Sequence, residues 1–356
     1  MRRSRSPRQF YLVAAVLVAA ALSLAACTKA INPVGPGDGS STPASPSPSS
    51  SASPSSSPSA HSAASRPLAP LTGLLASSSA AAGKPAVALD LTGSDPSGLT
   101  SADLVFQEFS SPVRYIAVFQ SKQATAGPVT GTQPTDKQAL TVLHPLIGYA
   151  GAAAPFFITN LDKSQLKDAG YGGHPSLYTT GTQGLTSSTQ AIMSAITGET
   201  APPQLFRYRG ASSGADTLAA SGVSRPTSAR VTIPGYGTQE WTFSQRHNAW
   251  QLSSGGPWVR VANVVVQTVP YKTVGINAQA GRSAQVAQVI GRGHTEVLSG
   301  TAAGGSGGTA ASGTWAKPHV RDVTAYLETD GSPMAFQPGP TWIILAPPGT
   351  TVSTSS

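Results

Sequence analysis

Cysteine is nearly absent from this sequence: the 356 residues include one, Cys27. A single thiol excludes an intramolecular disulfide framework and a multi-cysteine zinc site, because both need several cysteines. The six histidines are scattered, and no two of them lie four residues apart on a helix-like spacing. The sequence therefore predicts no metal site, and it contains no motif that indicates a cofactor.

Charged side chains are also few, at 11% of the residues. The formal net charge is +8, but four of the positive charges belong to the arginines at positions 2, 3, 5 and 8. A basic stripe or a Lys/Arg-rich run is the usual mark of a nucleic-acid surface, and the rest of the chain has neither. We therefore expect no nucleic-acid partner.

The four arginines are followed by an apolar run over residues 10–24 and then by Leu24-Ala25-Ala26-Cys27. This three-part layout is typical of a secretory signal, and the run is too short for a comfortable spanning helix. Leu-Ala-Ala-Cys resembles the lipobox of bacterial lipoproteins. It predicts a signal peptide at 1–26, cleavage between Ala26 and Cys27, and a diacylglyceryl group with palmitate on Cys27. The alternative is an ordinary signal peptide whose cleavage region contains a cysteine.

These features place the mature protein on the outer, extracytoplasmic face of the cell membrane, held by its lipid. Residues 27–66 are dominated by Ser, Pro and Ala and have almost no side chains able to build a core. Such a composition predicts a disordered tether. The tether is interpreted either as an inert spacer or as a stalk glycosylated on Ser and Thr.

The remainder predicts an α+β fold. Residues 67–215 mix apolar strand candidates with helix candidates at 164–168, at 188–196 and after Pro134-Thr135-Asp136. Residues 227–350 contain short β-type runs separated by Gly, Pro and Asp turns. We therefore predict a mixed α/β N-terminal domain, a linker at 216–226, a mostly-β C-terminal domain and a disordered tail at 351–356.

Several segments resemble one known family. Gly98-Leu-Thr-Ser-Ala-Asp103 and Arg114-Tyr-Ile-Ala-Val-Phe119 in the first half, with Gly313-Thr-Trp-Ala-Lys317 and Pro338-Gly-Pro-Thr-Trp342 in the second, resemble the YerB-like bacterial lipoproteins. That family is defined by N- and C-terminal domains of unknown function. The resemblance covers nearly all of residues 67–348. It implies a two-domain surface lipoprotein with no established reaction.

The sequence departs from this family at one place. After Gly127-Pro-Val the family usually has two arginines at the start of a helix, and this chain has Thr130 and Gln133 instead. Two arginines in that position would favour an anionic ligand. An anion site implied by the resemblance is therefore not expected at Thr130 and Gln133.

Polar side chains in the first half supply one set of candidate ligand-binding residues: Arg114, Asp136, His174 and Tyr178. Two further acids, Asp103 and Glu108, are expected to cap a turn and to pair with Arg114 rather than to act as a general acid and base. No arrangement of a nucleophile with its base was found, so the catalytic residues are unknown.

All five tryptophans lie in the second half, and Trp241 and Trp258 are candidates for stacking on sugar rings. The alternative, which is favoured, is that the tryptophans fill the β-domain core.

The sequence as a whole leaves two hypotheses for the function of the protein. The first is a non-enzymatic binding or scaffold protein that takes a cell-wall polymer or an envelope protein between its two domains. The second is an envelope hydrolase or transferase acting on an anionic wall polymer.

Overall fold

The computed structural model describes residues 66–151, 165–210, 224–277, 282–301 and 306–356. The predicted signal peptide, the lipobox with Cys27, the tether up to residue 65 and most of the linker at 216–226 lie outside these residues. Among the described helices, none combines the length and the apolar character that crossing a bilayer requires.

The predicted α+β class is confirmed, and strands are in the majority. The helices are α1 (Ser79–Ala82), α2 (Pro134–Leu140) and α3 (Thr189–Ala195). The first half contains β1 (Val87–Thr92), β2 (Leu104–Glu108), β3 (Arg114–Phe119), β4 (Thr125–Ala126), β5 (Leu146–Gly148), β6 (Lys167–Asp168), β7 (Tyr178–Gly181), β8 (Gly184–Ser188) and β9 (Arg207–Tyr208). The second half contains β10 (Ser228–Ile233), β11 (Gly237–Ser244), β12 (Ala249–Ser254), β13 (Arg260–Val261), β14 (Asn263–Thr268), β15 (Tyr271–Asn277), β16 (Arg282–Ala287), β17 (Gly291–Ser299), β18 (Thr309–Lys317), β19 (Ala325–Glu328), β20 (Ala335–Phe336), β21 (Thr341–Ala346) and β22 (Thr351–Ser355).

A ten-stranded sheet runs through both halves of the body in the order β19-β18-β17-β14-β21-β2-β3-β1-β5-β6. Strand β21 lies parallel to β14 on one side and parallel to β2 on the other, with Thr341 in register with Asn263 and Leu104. Backbone hydrogen bonds therefore cross the boundary between the two predicted domains, and the described residues from 66 onward belong to one compact unit.

The two faces of this sheet are covered by different elements. In β1, Leu89 and Leu91 pack on the side that carries Trp241 and Trp250 of the second sheet. The alternate residue Ala88 packs on the side that carries Leu140 of α2. Because side chains alternate along a strand, β1 is buried on both faces and is apolar almost throughout. Its one charged residue, Asp90, lies on the α2 side.

The second sheet has five strands in the order β13-β12-β11-β10-β22. Strand β22 pairs antiparallel with β10 from Ser228 with Ser355 to Thr232 with Thr351. The prediction of a disordered tail at 351–356 is therefore wrong. The Ser and Thr residues of this segment show no hydrophobic pattern that would predict a strand. Their backbone N–H and C=O groups nevertheless form hydrogen bonds with the free edge of β10.

A second correction concerns the helix predicted at 164–168. Lys167 and Asp168 form β6, which pairs parallel with β5. The Lys167 amide donates to the Pro145 carbonyl at 2.9 Å, and the Ala169 amide donates to the Ile147 carbonyl at 2.9 Å. The edge of β5 supplies these partners, and so short a polar segment has no helical preference that could compete with them. The helix predicted at 188–196 is confirmed as α3, with the Ser188 hydroxyl accepting from the Ala191 amide.

Candidate functional site

Four charged side chains meet where β1 and β2 end and where β3 and α2 begin. Arg114 Nη1 lies 2.6 Å from Glu108 Oε2, and Arg114 Nη2 lies 2.9 Å from Asp136 Oδ1. Arg114 Nη2 is also 3.0 Å from Asp90 Oδ1. We call these four residues the Arg114 cluster. It contains one cation and three carboxyl groups.

Local structure places each member of the Arg114 cluster. The β2–β3 hairpin pairs Glu108 directly with Arg114, as the sequence predicted. At the start of α2, the Gln133 amide donates to Asp136 Oδ2 at 2.5 Å in a capping box, so Asp136 caps its helix and pairs with Arg114. Asp90 is opposite Ile116 in the β1–β3 register and so faces the same side as Arg114.

The Arg114 cluster also connects the N-terminal half of the chain to the C-terminal half through hydrogen bonds. Glu108 Oε1 accepts a hydrogen bond from the Thr135 hydroxyl at 2.5 Å and from the Ala287 amide at 2.9 Å. Ala287 is the last residue of β16, so one carboxylate contacts α2, β3 and a strand from the C-terminal half. Each of these bonds is charge-assisted and therefore stronger than a neutral hydrogen bond.

All four members of the Arg114 cluster are at most 3% exposed. Burial raises the pKa of Asp90 well above its ordinary value, and the neighbouring charge of Asp136 raises it further. Burial also raises the pKa of Glu108, although Arg114 opposes this. For Arg114 itself, burial disfavours the charge, but the three carboxylates outweigh it and the pKa is raised.

Asp90 is the carboxyl group of the Arg114 cluster that lacks a hydrogen-bond donor among the described residues. Neither oxygen of Asp90 accepts a hydrogen bond from a donor among the described residues, and the contact from Arg114 is an ion pair outside hydrogen-bond geometry. Burial and the neighbouring charge of Asp136 both favour the neutral, protonated form of Asp90, although Arg114 opposes them. Protonation of Asp90 reduces the excess negative charge of three carboxyl groups around one cation, which burial penalises.

A pocket lies on the same face of the ten-stranded sheet, at the junction of the two halves. Its empty space is about 400 Å³ when the open solvent at its mouth is counted, and about 20 Å³ of it is enclosed space for water-sized molecules. Phe106 and Val142 line it from the first half, and Lys317, Tyr326 and Ile343 line it from the second. We call it the junction pocket. Its walls are mainly aromatic and aliphatic, which is typical of small-ligand sites.

Lys317 is the unusual residue of the junction pocket. It is 1% exposed, and its ammonium group donates to the backbone carbonyl of Asp322. Burial lowers the pKa of Lys317 to about 8, although the charge of Asp322 raises it in part. Sequence reasoning missed this residue. The signal was the alternation of β18, which directs Gly313, Trp315 and Lys317 to the same buried side.

Comparison with known proteins agrees with the resemblance found in the sequence. Residues 71–198 match the N-terminal domain, and residues 231–343 the C-terminal domain, of DUF3048, a protein of unknown function. The chain belongs to the DUF3048 family. The crystal structure of the YerB protein from Bacillus subtilis is similar, with a TM-score of 0.62 and 18% sequence identity over 81% of this chain and 100% of that chain. No curated protein matches.

In this DUF3048 protein, the four candidates of the first half do not form one site. Arg114 and Asp136 are brought together, but Tyr178 and His174 have other partners. The Tyr178 hydroxyl donates to the Ala169 carbonyl at 2.6 Å and accepts from the Tyr149 amide at 3.0 Å. His174 is half-buried, and its backbone amide donates to the Gly170 carbonyl at 3.0 Å. These contacts give Tyr178 a structural role.

The tryptophans separate into a buried set and one exposed ring. Trp241 is fully buried and lies 6.2 Å from the Trp342 ring centre, so its prediction as a stacking platform is wrong. The alternating pattern of β11 turns Trp241 toward the core, where large aromatics contribute most. Trp258 is 54% exposed, and the Arg260 guanidinium lies 5.5 Å from its ring centre. Of the two candidates, Trp258 alone is accessible to a ligand.

Proposed function

We propose that this DUF3048 protein is a lipid-anchored, extracytoplasmic binding protein of the cell envelope, without catalytic activity. The junction pocket is the observation that carries the proposal, because residues of both family domains line it. Its ligand is a component of the envelope, either a wall polymer or its precursor or an envelope protein, whose apolar part enters the pocket. The lipobox at residues 24–27 supports the address, with Cys27 carrying the anchor.

The hydrolase or transferase alternative has less support from the geometry. It requires Arg114 and Asp136 to reach a polymer, yet both are buried and bonded to one another. A general acid or base must come within hydrogen-bond distance of the proton that it transfers. The contacts of the Arg114 cluster are explained by joining β1, β2, β3 and α2, so binding is the function proposed.

The anchor is tested at Cys27. Cys27→Ala should abolish labelling of the protein by a radioactive fatty acid in growing cells and leave a precursor of lower mobility on a gel, because no thiol remains to be acylated. Thr28→Ala alters the neighbouring residue and should keep the label. Undiminished labelling of Cys27→Ala would disprove the anchor.

The junction pocket is tested by filling its mouth. Val323 lines the pocket and is 36% exposed, whereas Ile290 is 38% exposed and does not line it. Native mass spectrometry of the protein extracted from its own cells should show a non-covalent ligand on the wild type and on Ile290→Trp. Val323→Trp should lose that ligand, because the indole occupies the entrance.

Thermal unfolding of the two tryptophan variants serves as the control for folding. Because both positions are partly exposed, we expect each melting temperature to stay close to that of the wild type. A ligand bound equally by both variants would show that the junction pocket is not its site. Absence of any ligand from the wild type would count against the binding proposal itself.

A further inference from the structure

Lys317 brings a positive charge into an apolar pocket without a carboxylate facing it there. Of the described residues that line the junction pocket, Lys317 is the one with a charged side chain. A lysine ammonium group has three N–H donors, and in the described part of the chain Nζ has one acceptor, the Asp322 carbonyl. Two donors remain for a group that enters the pocket.

The neighbouring polar groups are already engaged. The Asp322 carboxylate accepts from the His319 amide at 2.8 Å and lies 3.0 Å from His319 Nδ1. The Tyr326 hydroxyl donates to Gln267 Oε1 at 2.8 Å. Asp322 is the titratable group whose charge acts on Lys317. The remaining lining residues are apolar, such as Phe106 and Ile343, except for Thr324. The best partner for the ammonium group is therefore an anion supplied by a ligand.

We propose that the junction pocket binds an amphiphile with one acidic head group, a carboxylate or a phosphate ester, held by Lys317. The apolar part of the ligand packs on Phe106, Phe206 and Tyr326. A charge-assisted hydrogen bond is strongest in surroundings of low polarity, such as these walls. This inference rests on the proposed binding function and names its ligand class.

Binding of such an anion is linked to the protonation of Lys317. With a pKa of about 8 in the free protein, Lys317 is mostly charged at pH 7 and mostly neutral at pH 10. An anion bound at pH 10 must bring a proton with it, so its affinity falls about tenfold for each pH unit above 8. A neutral ligand does not require Lys317 to be protonated, so its affinity should not fall with pH in this way.

The experiment compares three ligands that share a ten-carbon chain: decanoate, decyl phosphate and decanol. Isothermal titration calorimetry is done at pH 7 on the full chain carrying Cys27→Ala, since the native acyl group would compete. We expect decanoate and decyl phosphate to bind at least tenfold more tightly than decanol. Lys317→Met should remove this preference, whereas Lys122→Met, which alters an exposed lysine, should keep it.

Two measurements keep the result interpretable if Lys317→Met folds poorly. Thermal unfolding shows whether Lys317→Met is folded. A decanoate titration of the Cys27→Ala chain from pH 7 to pH 10 tests the charge of Lys317 without a further substitution. Equal affinity for decanol and decanoate, a preference retained in Lys317→Met, or a flat pH profile would each overturn the inference. Failure of all three ligands to bind would overturn it too, while a native ligand lost in Val323→Trp would leave the proposed function standing. Binding of one anion and not the other would support the inference and identify the head group.

Discussion

Replacing Arg114 with methionine should lower the free energy of unfolding by about 3–5 kcal/mol, because removal of one partner leaves buried carboxylates without their cation. Asp90, Glu108 and Asp136 would then face one another in a site that is at most 3% exposed. Folded domains are typically stable by roughly 5–15 kcal/mol, so this single change takes a large share of the total. Urea unfolding followed by circular dichroism measures the effect.

The loss in Arg114→Met should be greater at pH 8 than at pH 5. The raised pKa values of Asp90 and Glu108 mean that the native state holds protons that the unfolded chain releases. Their contribution is present in acid and is lost as the pH rises through the folded pKa values. Without Arg114 those pKa values rise further. Arg230→Met is the control, since the Arg230–Glu240 pair is exposed and is worth about 0–1 kcal/mol.

An equal loss of stability at both pH values would show that the Arg114 cluster is held by packing rather than by charge. If the free energy of unfolding fell no more in Arg114→Met than in Arg230→Met, the three buried carboxyl groups would not need a cation for the protein to stay stable. Either result contradicts the account of the cluster given above.

Trp342→Ala should cost about 3–5 kcal/mol of stability, the range found for removal of a large aromatic side chain from a core. Trp342 is fully buried in β21, and its ring centre lies 5.7 Å from that of Tyr115 and 6.2 Å from that of Trp241. Its indole nitrogen donates to Gln107 Oε1 at 2.9 Å. The change therefore removes the packing between the two sheets and a buried hydrogen bond together.

Trp258→Ala is the matched control, because the same side chain is removed from a position that is 54% exposed. Its contact with Arg260 is worth about 0.5–1 kcal/mol at an exposed site. Chemical unfolding of both variants at one pH makes the comparison. If Trp258→Ala were as damaging as Trp342→Ala, burial would not be the source of tryptophan's contribution here.

Much of the fold could be predicted because local signals and tertiary structure agree. The predicted pairing of Glu108 with Arg114 is confirmed, because the β2–β3 hairpin aligns these two residues directly. Pro134 and Asp136 marked the start of α2 in the usual way. The majority of strands after residue 227 followed from short β-type runs and turns. In each case the deciding contacts lie within a few residues or within one hairpin.

The remainder depends on partners that are distant in sequence. Asp90 is a lone acid in an apolar strand, and its role appears once Asp136 is placed beside it. The alternation of β18 marks Lys317 as inward-facing, but its pocket is built from both halves of the chain. Strand β22 has a polar sequence, and the free edge of β10 decides its structure. Composition and periodicity do not contain this information.

The position of β21 has a consequence for the order in which the protein can fold as it is synthesised. Trp342 and Gln107 are bonded to each other across 235 positions of the chain. Synthesis from the N-terminus produces β2 long before β21, so the edge of β2 stays without its partner until the last strands are made. Contacts between such distant residues form slowly. Because β21 pairs with strands of both DUF3048 domains, the sheet that joins them is completed only when nearly the whole chain has been made.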